Sequence, residues 1–198
     1  MTISASDVKT LRSQTGAGMM DCKRALEESD GSIEKAVTLL REKGIMAASK
    51  KSAREAKEGI IHTYIHPGSR IATMVEINCE TDFVARNESF QTLARDIAMQ
   101  VAATRPLAVD RDQIEEAVLE QEREIYRNQA RNEGKADHII DRIVQGKIEK
   151  FNQESCLLEQ PFIRDTDKTV RDLITEAVAT LGENILVRRF VRYELGGE

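Results

Sequence analysis

The stretch GIIHTYIHPGSRIATMVEIN, residues 59–78, decides the fold. Two β-branched runs, Ile60 to Ile65 and Ile71 to Ile77, flank Pro67-Gly68, the pattern of a β-hairpin with a short loop. On either side the apolar period is helical. The chain therefore changes from helix to strand near residue 58 and returns to helix soon after Asn78.

Upstream, three short helices are predicted. Val8 and Leu11 make a stripe behind Ser4 and Asp7, a start resembling a capping box. Gly16 and Gly18 interrupt it, and the glycine pair serves a tight helix-to-helix turn. A second helix spans Met19 to Glu28 with Cys22, Ala25 and Leu26 inward. Ile33, Ala36, Val37 and Leu40 define a third, with Gly44 placed to end it. Ala47 to Lys57 reads as a solvated helical linker and carries the boundary between domains 1–54 and 55–198.

Downstream, Phe90, Leu93, Ile97 and Val101 predict a helix that Arg105-Pro106 ends. Ile114 to Arg131 and Asp137 to Lys150, joined by Glu133-Gly134-Lys135, predict an antiparallel helical arm. Val170 to Leu181 forms a last helix capped by Gly182, and Ile185 to Tyr193 a strand whose partner is the hairpin. The fold class is α+β and helix-rich: a three-helix bundle, then a core domain with a small antiparallel sheet, helices and the arm.

Composition narrows function. The 198 residues carry 29 Lys and Arg against 34 Asp and Glu, a net charge of −5, which disfavours broad nucleic-acid affinity. Residues 1–57 hold 11 basic and 8 acidic side chains, against 18 and 26 in the remainder, consistent with two modules. No apolar run approaches the roughly 20 residues that cross a bilayer, and Met1 to Ser6 lacks a secretory pattern, so a cytoplasmic protein is expected. Cys22, Cys79 and Cys156 suit a reducing compartment and suggest neither a disulfide framework nor a zinc ribbon.

Catalytic constellations are missing. Thr15-Gly16-Ala17-Gly18 is too short for a phosphate loop. His62 and His66 share a strand face without further ligands, so neither metal nor cofactor is expected. Two features remain. Adjacent helical residues point about 100° apart, so Met19 and Met20 cannot both face one small core, and methionine suits partner-binding surfaces. In Glu80-Thr81-Asp82-Phe83-Val84, Thr81 or Asp82 is a good N-cap; Phe83 is either a staple folded onto the core or an exposed aromatic anchor.

The segments Leu11-Arg12, Thr15 to Leu26 and Asn78 to Ala85, with Gln160-Pro161-Phe162, Thr169-Val170 and Arg192-Tyr193-Glu194, resemble the elongation factor Ts family over nearly the whole chain. The resemblance implies a ubiquitin-associated-like module over residues 1–54 and a core, or dimerisation, domain over 55–198. It implies a guanine nucleotide exchange factor without bond chemistry, whose partner is elongation factor Tu, GDP-bound and nucleotide-free. Thr81, Asp82, Phe83 and Val84 would disturb the magnesium site of Tu, and Arg12, Met19 and Met20 would meet another helix of the same partner domain. With one hairpin and one Thr-Asp-Phe-Val motif, the chain resembles the short members, which pair as homodimers. Neither nucleic acid nor membrane is an expected partner. Two other classes remain to be tested against it: an interaction adaptor built on the three-helix bundle, and an enzyme using Cys22 or the strand histidines.

Overall fold

A computed structural model describes residues 3–197; Met1, Thr2 and Glu198, at the outer ends of the two expected domains, lie outside it. Besides two short 3-10 turns, eight α-helices and five strands follow one another among the described residues: α1 (Ala5–Thr15), α2 (Met19–Glu28), α3 (Ile33–Lys51), β1 (Glu58–Ile65), β2 (Ile71–Cys79), α4 (Asp82–Ala85), α5 (Glu88–Thr104), α6 (Glu116–Asn132), α7 (Asp137–Ser155), β3 (Pro161–Phe162), β4 (Asp165–Thr169), α8 (Val170–Leu181) and β5 (Leu186–Glu194). One sheet has the order β1-β2-β5, and β3 and β4 form a second, antiparallel pair. The α+β, helix-rich class is what the sequence predicts.

By backbone contacts these residues divide into two units. One contains the residues up to His62, with Glu76–Asp96 and Asp172–Val187. The other contains Thr63–Val75, Ile97–Arg171 and the residues from Arg188 onward.

In the first unit, side chains start the helices. Ser4 Oγ accepts from Asp7 N (3.1 Å) and Ser32 Oγ from Lys35 N (3.4 Å), which satisfies donors that have no partner inside a helix. Gly16 ends α1 at φ 67°, where an L side chain would be strained, and its N–H donates to Arg12 O (2.8 Å). Val8, Leu11, Cys22, Ala25, Leu26 and Ala36 form a buried cluster, flanked by Ile33, Val37 and Leu40. Each fully buried leucine contributes about 1.5–3 kcal/mol.

The third helix corrects the sequence reading. It runs through Gly44 to Lys51, and the span expected as linker supplies its last turn. Gly44 is buried and packs on α8: a Cβ there would lie 3.5 Å from Ala179 Cβ. Arg41 pairs with Asp172 (2.9 Å), and Lys51 Nζ donates to Val178 O (3.4 Å). The glycine thus marks a close helix approach and not a stop.

In the second unit, Thr73 Oγ1 donates to Ala98 O (2.9 Å), tying β2 to α5. Gln100 and Gln160 are buried and satisfied: Gln100 Nε2 donates to Gln160 Oε1 (3.2 Å) and Pro161 O (3.1 Å), and Thr104 Oγ1 donates to Gln160 Oε1 (2.6 Å). The helical arm forms from α6 and α7 over Ala130, Ile140 and Val144. Arg111 joins Glu149 on α7 (2.6 Å) and Glu159 just beyond it, securing the arm's root. The short β3-β4 pair and this root are absent from the sequence reading.

Candidate partner-binding site

The corner at Thr81 to Val84 lies in the first unit, where β2 gives way to a single helical turn. Strand pairing stops at Cys79, and Thr81 caps α4 by accepting from Val84 N through its hydroxyl (3.4 Å). Cys79 Sγ donates to Thr81 O (3.1 Å), and Ala85 is buried. Asp82 pairs one turn along with Arg86 at 2.9 Å, an exposed contact of little energetic weight.

Phe83 points outward, with 81% of its surface exposed. A staple would bury the ring, so that alternative is overturned. Ala85, Phe90, Leu93 and Ala94, which follow it in the chain, are buried instead. Among the described residues Phe83 is the most exposed of the large apolar side chains.

The corner is held from far along the chain. Glu183 Oε2 accepts from Glu80 N (3.0 Å) and Thr81 N (3.0 Å), while its Oε1 accepts from Thr81 Oγ1 (2.6 Å). In return Glu80 Oε1 accepts from Asn184 N (2.6 Å), and Asn184 Nδ2 donates to Arg54 O (2.7 Å). Both carboxylates receive backbone donors, and charge-assisted bonds of this kind are roughly twice as strong as neutral ones. Sequence reading missed Glu183 and Asn184, for the physical reason that Thr81 and Glu183 are 102 residues apart and no local pattern announces their meeting.

Arg12 and Met20 also lie in the first unit and are exposed, as is Met19 beside Gly18, the residue that starts α2. Met19 is 42% and Met20 62% exposed, so both stay off the cluster that Cys22 and Leu26 enter. Asp21 and Arg24 pair beside them at 2.7 Å, giving the patch a charged rim.

The cysteines and histidines lie as follows. Cys22, Cys79 and Cys156 are free and buried. Burial first, and then Glu183, pushes the Cys79 thiol up to about 11; burial first, and then Glu159 and Asp110, does the same for Cys156. His62 is held below its ordinary value by burial and by Arg95, and His66 lies just beyond β1. No group of three or more His, Cys, Asp or Glu among the described residues is arranged to hold a metal ion. Among the described residues no helix is long and apolar enough to cross a membrane.

Comparison with known proteins identifies the family. The family model described as Elongation factor TS matches residues 4–197. Elongation factor Ts of Nitratidesulfovibrio vulgaris is 57% identical over 198 residues, covering 100% of this chain and 99% of that protein. The corresponding proteins of Moorella thermoacetica and Desulforamulus reducens are 57% and 59% identical over 194 residues, with 96% and 89% of their lengths covered. A match of this extent places the chain in the elongation factor Ts family, elongation factors that serve guanine nucleotide exchange in protein biosynthesis.

Proposed function

We propose that the chain is the exchange factor for elongation factor Tu. It binds Tu carrying GDP, perturbs the magnesium site, speeds GDP release and stabilises the nucleotide-free state until GTP binds. The observation that carries this reading is Phe83, exposed on a short turn whose backbone is clasped on both sides. In this mechanism Phe83 inserts between helices of the partner's nucleotide-binding domain, with Thr81, Asp82 and Val84 shaping the contact. Arg12, Met19 and Met20 meet a second helix of the same domain.

The energetics are those of linkage. A factor that weakens GDP binding is itself bound less tightly when GDP is present, so each ligand helps to expel the other. Magnesium bridging phosphate oxygens supplies several kcal/mol to nucleotide binding, so a small shift of its ligands loosens GDP without competition for the base. No bond is made or broken, and no cofactor takes part.

In the same reading residues 1–54 are the ubiquitin-associated-like module and 55–198 the core, acting in the cytoplasm without nucleic acid or membrane. The working form is a homodimer. Support comes from the second unit, where Ile65, Met74, Val191 and Tyr193, on the β1-β2-β5 sheet, are exposed. Sedimentation equilibrium measures this directly.

The deciding experiment follows fluorescent GDP leaving elongation factor Tu, with excess unlabelled nucleotide, as substoichiometric chain is added. Accelerated release is expected. An unchanged slow rate with a folded dimer and a matched Tu overturns the exchange reading and favours the adaptor.

A further inference from the structure

We propose that Glu183 is a positioning residue for nucleotide exchange: its carboxylate fixes the direction in which Phe83 is presented. The inference rests on the exchange function proposed above and adds to it a residue outside the corner's own motif. The helix that carries Phe83 has four residues, a single turn, and a single turn does not sustain itself, because nucleation fixes several dihedrals for one hydrogen bond. Its orientation is therefore set by whatever grips its start. The cap bond from Val84 N to Thr81 Oγ1 is long at 3.4 Å, and the Asp82-Arg86 pair is exposed.

Beside the Cys79 Sγ–Thr81 O contact and buried Ala85, the start of the turn is gripped by Glu183. It accepts the N–H groups of Glu80 and Thr81, the first two residues after strand pairing ends, and the Thr81 hydroxyl. Two backbone donors and one side-chain donor converge on one carboxylate, so peptide 80–81 has little freedom to rotate. Thr81 Oγ1 gives its proton to Glu183, which leaves its lone pairs for Val84 N and links the carboxylate to α4 through one oxygen. Glu183 itself directly follows Gly182, whose N–H donates to Val178 O (3.0 Å) to close α8, and Asn184 N is gripped by Glu80. The corner is thereby referenced to the end of α8 as well as to its own sequence neighbours.

The test uses the full chain and elongation factor Tu loaded with fluorescent GDP, measured over a range of Tu concentrations. Glu183→Ala is expected to lower the maximal exchange rate about tenfold while changing the half-saturating concentration less than about twofold, because a misaimed ring weakens the step after docking. Glu183→Gln keeps an oxygen for both N–H groups and should stay within about threefold of wild type. Placed on Phe83→Ala, Glu183→Ala should add no further loss, because the ring it aims is gone.

Full maximal rate in Glu183→Ala, a loss confined to half-saturation, or an additive loss in the Phe83→Ala background each overturns the proposal. Should Glu183→Ala fail to fold, Thr81→Val and Thr81→Ser decide: a slower Val variant with activity restored by Ser supports the brace, and equal rates overturn it. If wild type itself leaves GDP release unchanged, the exchange reading fails first. Amide hydrogen exchange at Glu80 and Thr81 then reports the clasp alone.

Discussion

Replacing Phe83 by alanine separates folding from function. Fully burying a phenylalanine contributes about 1.5–3 kcal/mol, and with 81% of its surface still exposed in the free chain, about four-fifths of that is available to a partner. The loss on Phe83→Ala is then about 2 kcal/mol, equivalent to about a thirtyfold slower exchange at limiting factor concentration. Folding should hardly notice: the change is on a solvated turn, where substitutions stay within about 0.5 kcal/mol, or about 2 °C in Tm for a chain of this size. The assay is fluorescent GDP release from elongation factor Tu beside a circular-dichroism melt of the same sample. A variant that exchanges at the wild-type rate refutes the role of the corner. A variant whose Tm falls by more than about 5 °C refutes the structural premise, since an exposed ring has no folding contacts to lose.

Four further outcomes follow from the packing. Gly59 sits at φ 145°, and a Cβ there would lie 2.1 Å from Ile77 O, so Gly59→Ala should destabilise by at least about 2 kcal/mol and lower Tm by roughly 4–8 °C. Gly44→Ala should instead raise Tm slightly, because the added methyl meets Ala179 at an ordinary 3.5 Å and helical Gly→Ala gains about 0.5–1 kcal/mol; Gly44→Leu should lower it, as a thermal-melt series will read. Thiol titration near pH 8 should find no reactive cysteine in the native chain and three in denaturant. Because Cys79 and Cys156 are raised from 9.0 to about 11 on folding, stability is retained below pH 9 and declines as pH climbs from 9 toward 11, where only the unfolded thiols ionise.

Local pattern was enough for most elements and for the cap at Thr81. The β-branched runs around Pro67-Gly68 gave the hairpin, and the adjacency of Met19 and Met20 implied surface methionine, with both indeed exposed. Gly44 misled because a stop and a close helix contact ask for the same residue, and only Ala179, far away in sequence, distinguishes them. Phe83 stood between two readings for a related reason: Thr81 caps its turn in either, and the ring's direction depends on peptide 80–81. The Glu183 clasp and the Gln100-Gln160 network were illegible because their partners meet across 102 and 60 residues with no shared period. β3, two residues long, carries too few side chains to set a pattern.

The strand order β1-β2-β5 carries a consequence for how the chain is made. During synthesis the hairpin emerges first, and a two-stranded ribbon is marginal by itself. Until Leu186–Glu194 arrives, β2 offers a bare edge on which another nascent chain could pair. Non-local closure of this kind is slow, and the edge of β2 stays open while the residues between Cys79 and Leu186 are made. Glu183 emerges just ahead of β5. The turn bearing Phe83 is therefore gripped only as the sheet closes, and a chain stalled before that point displays its aromatic ring without the frame that aims it.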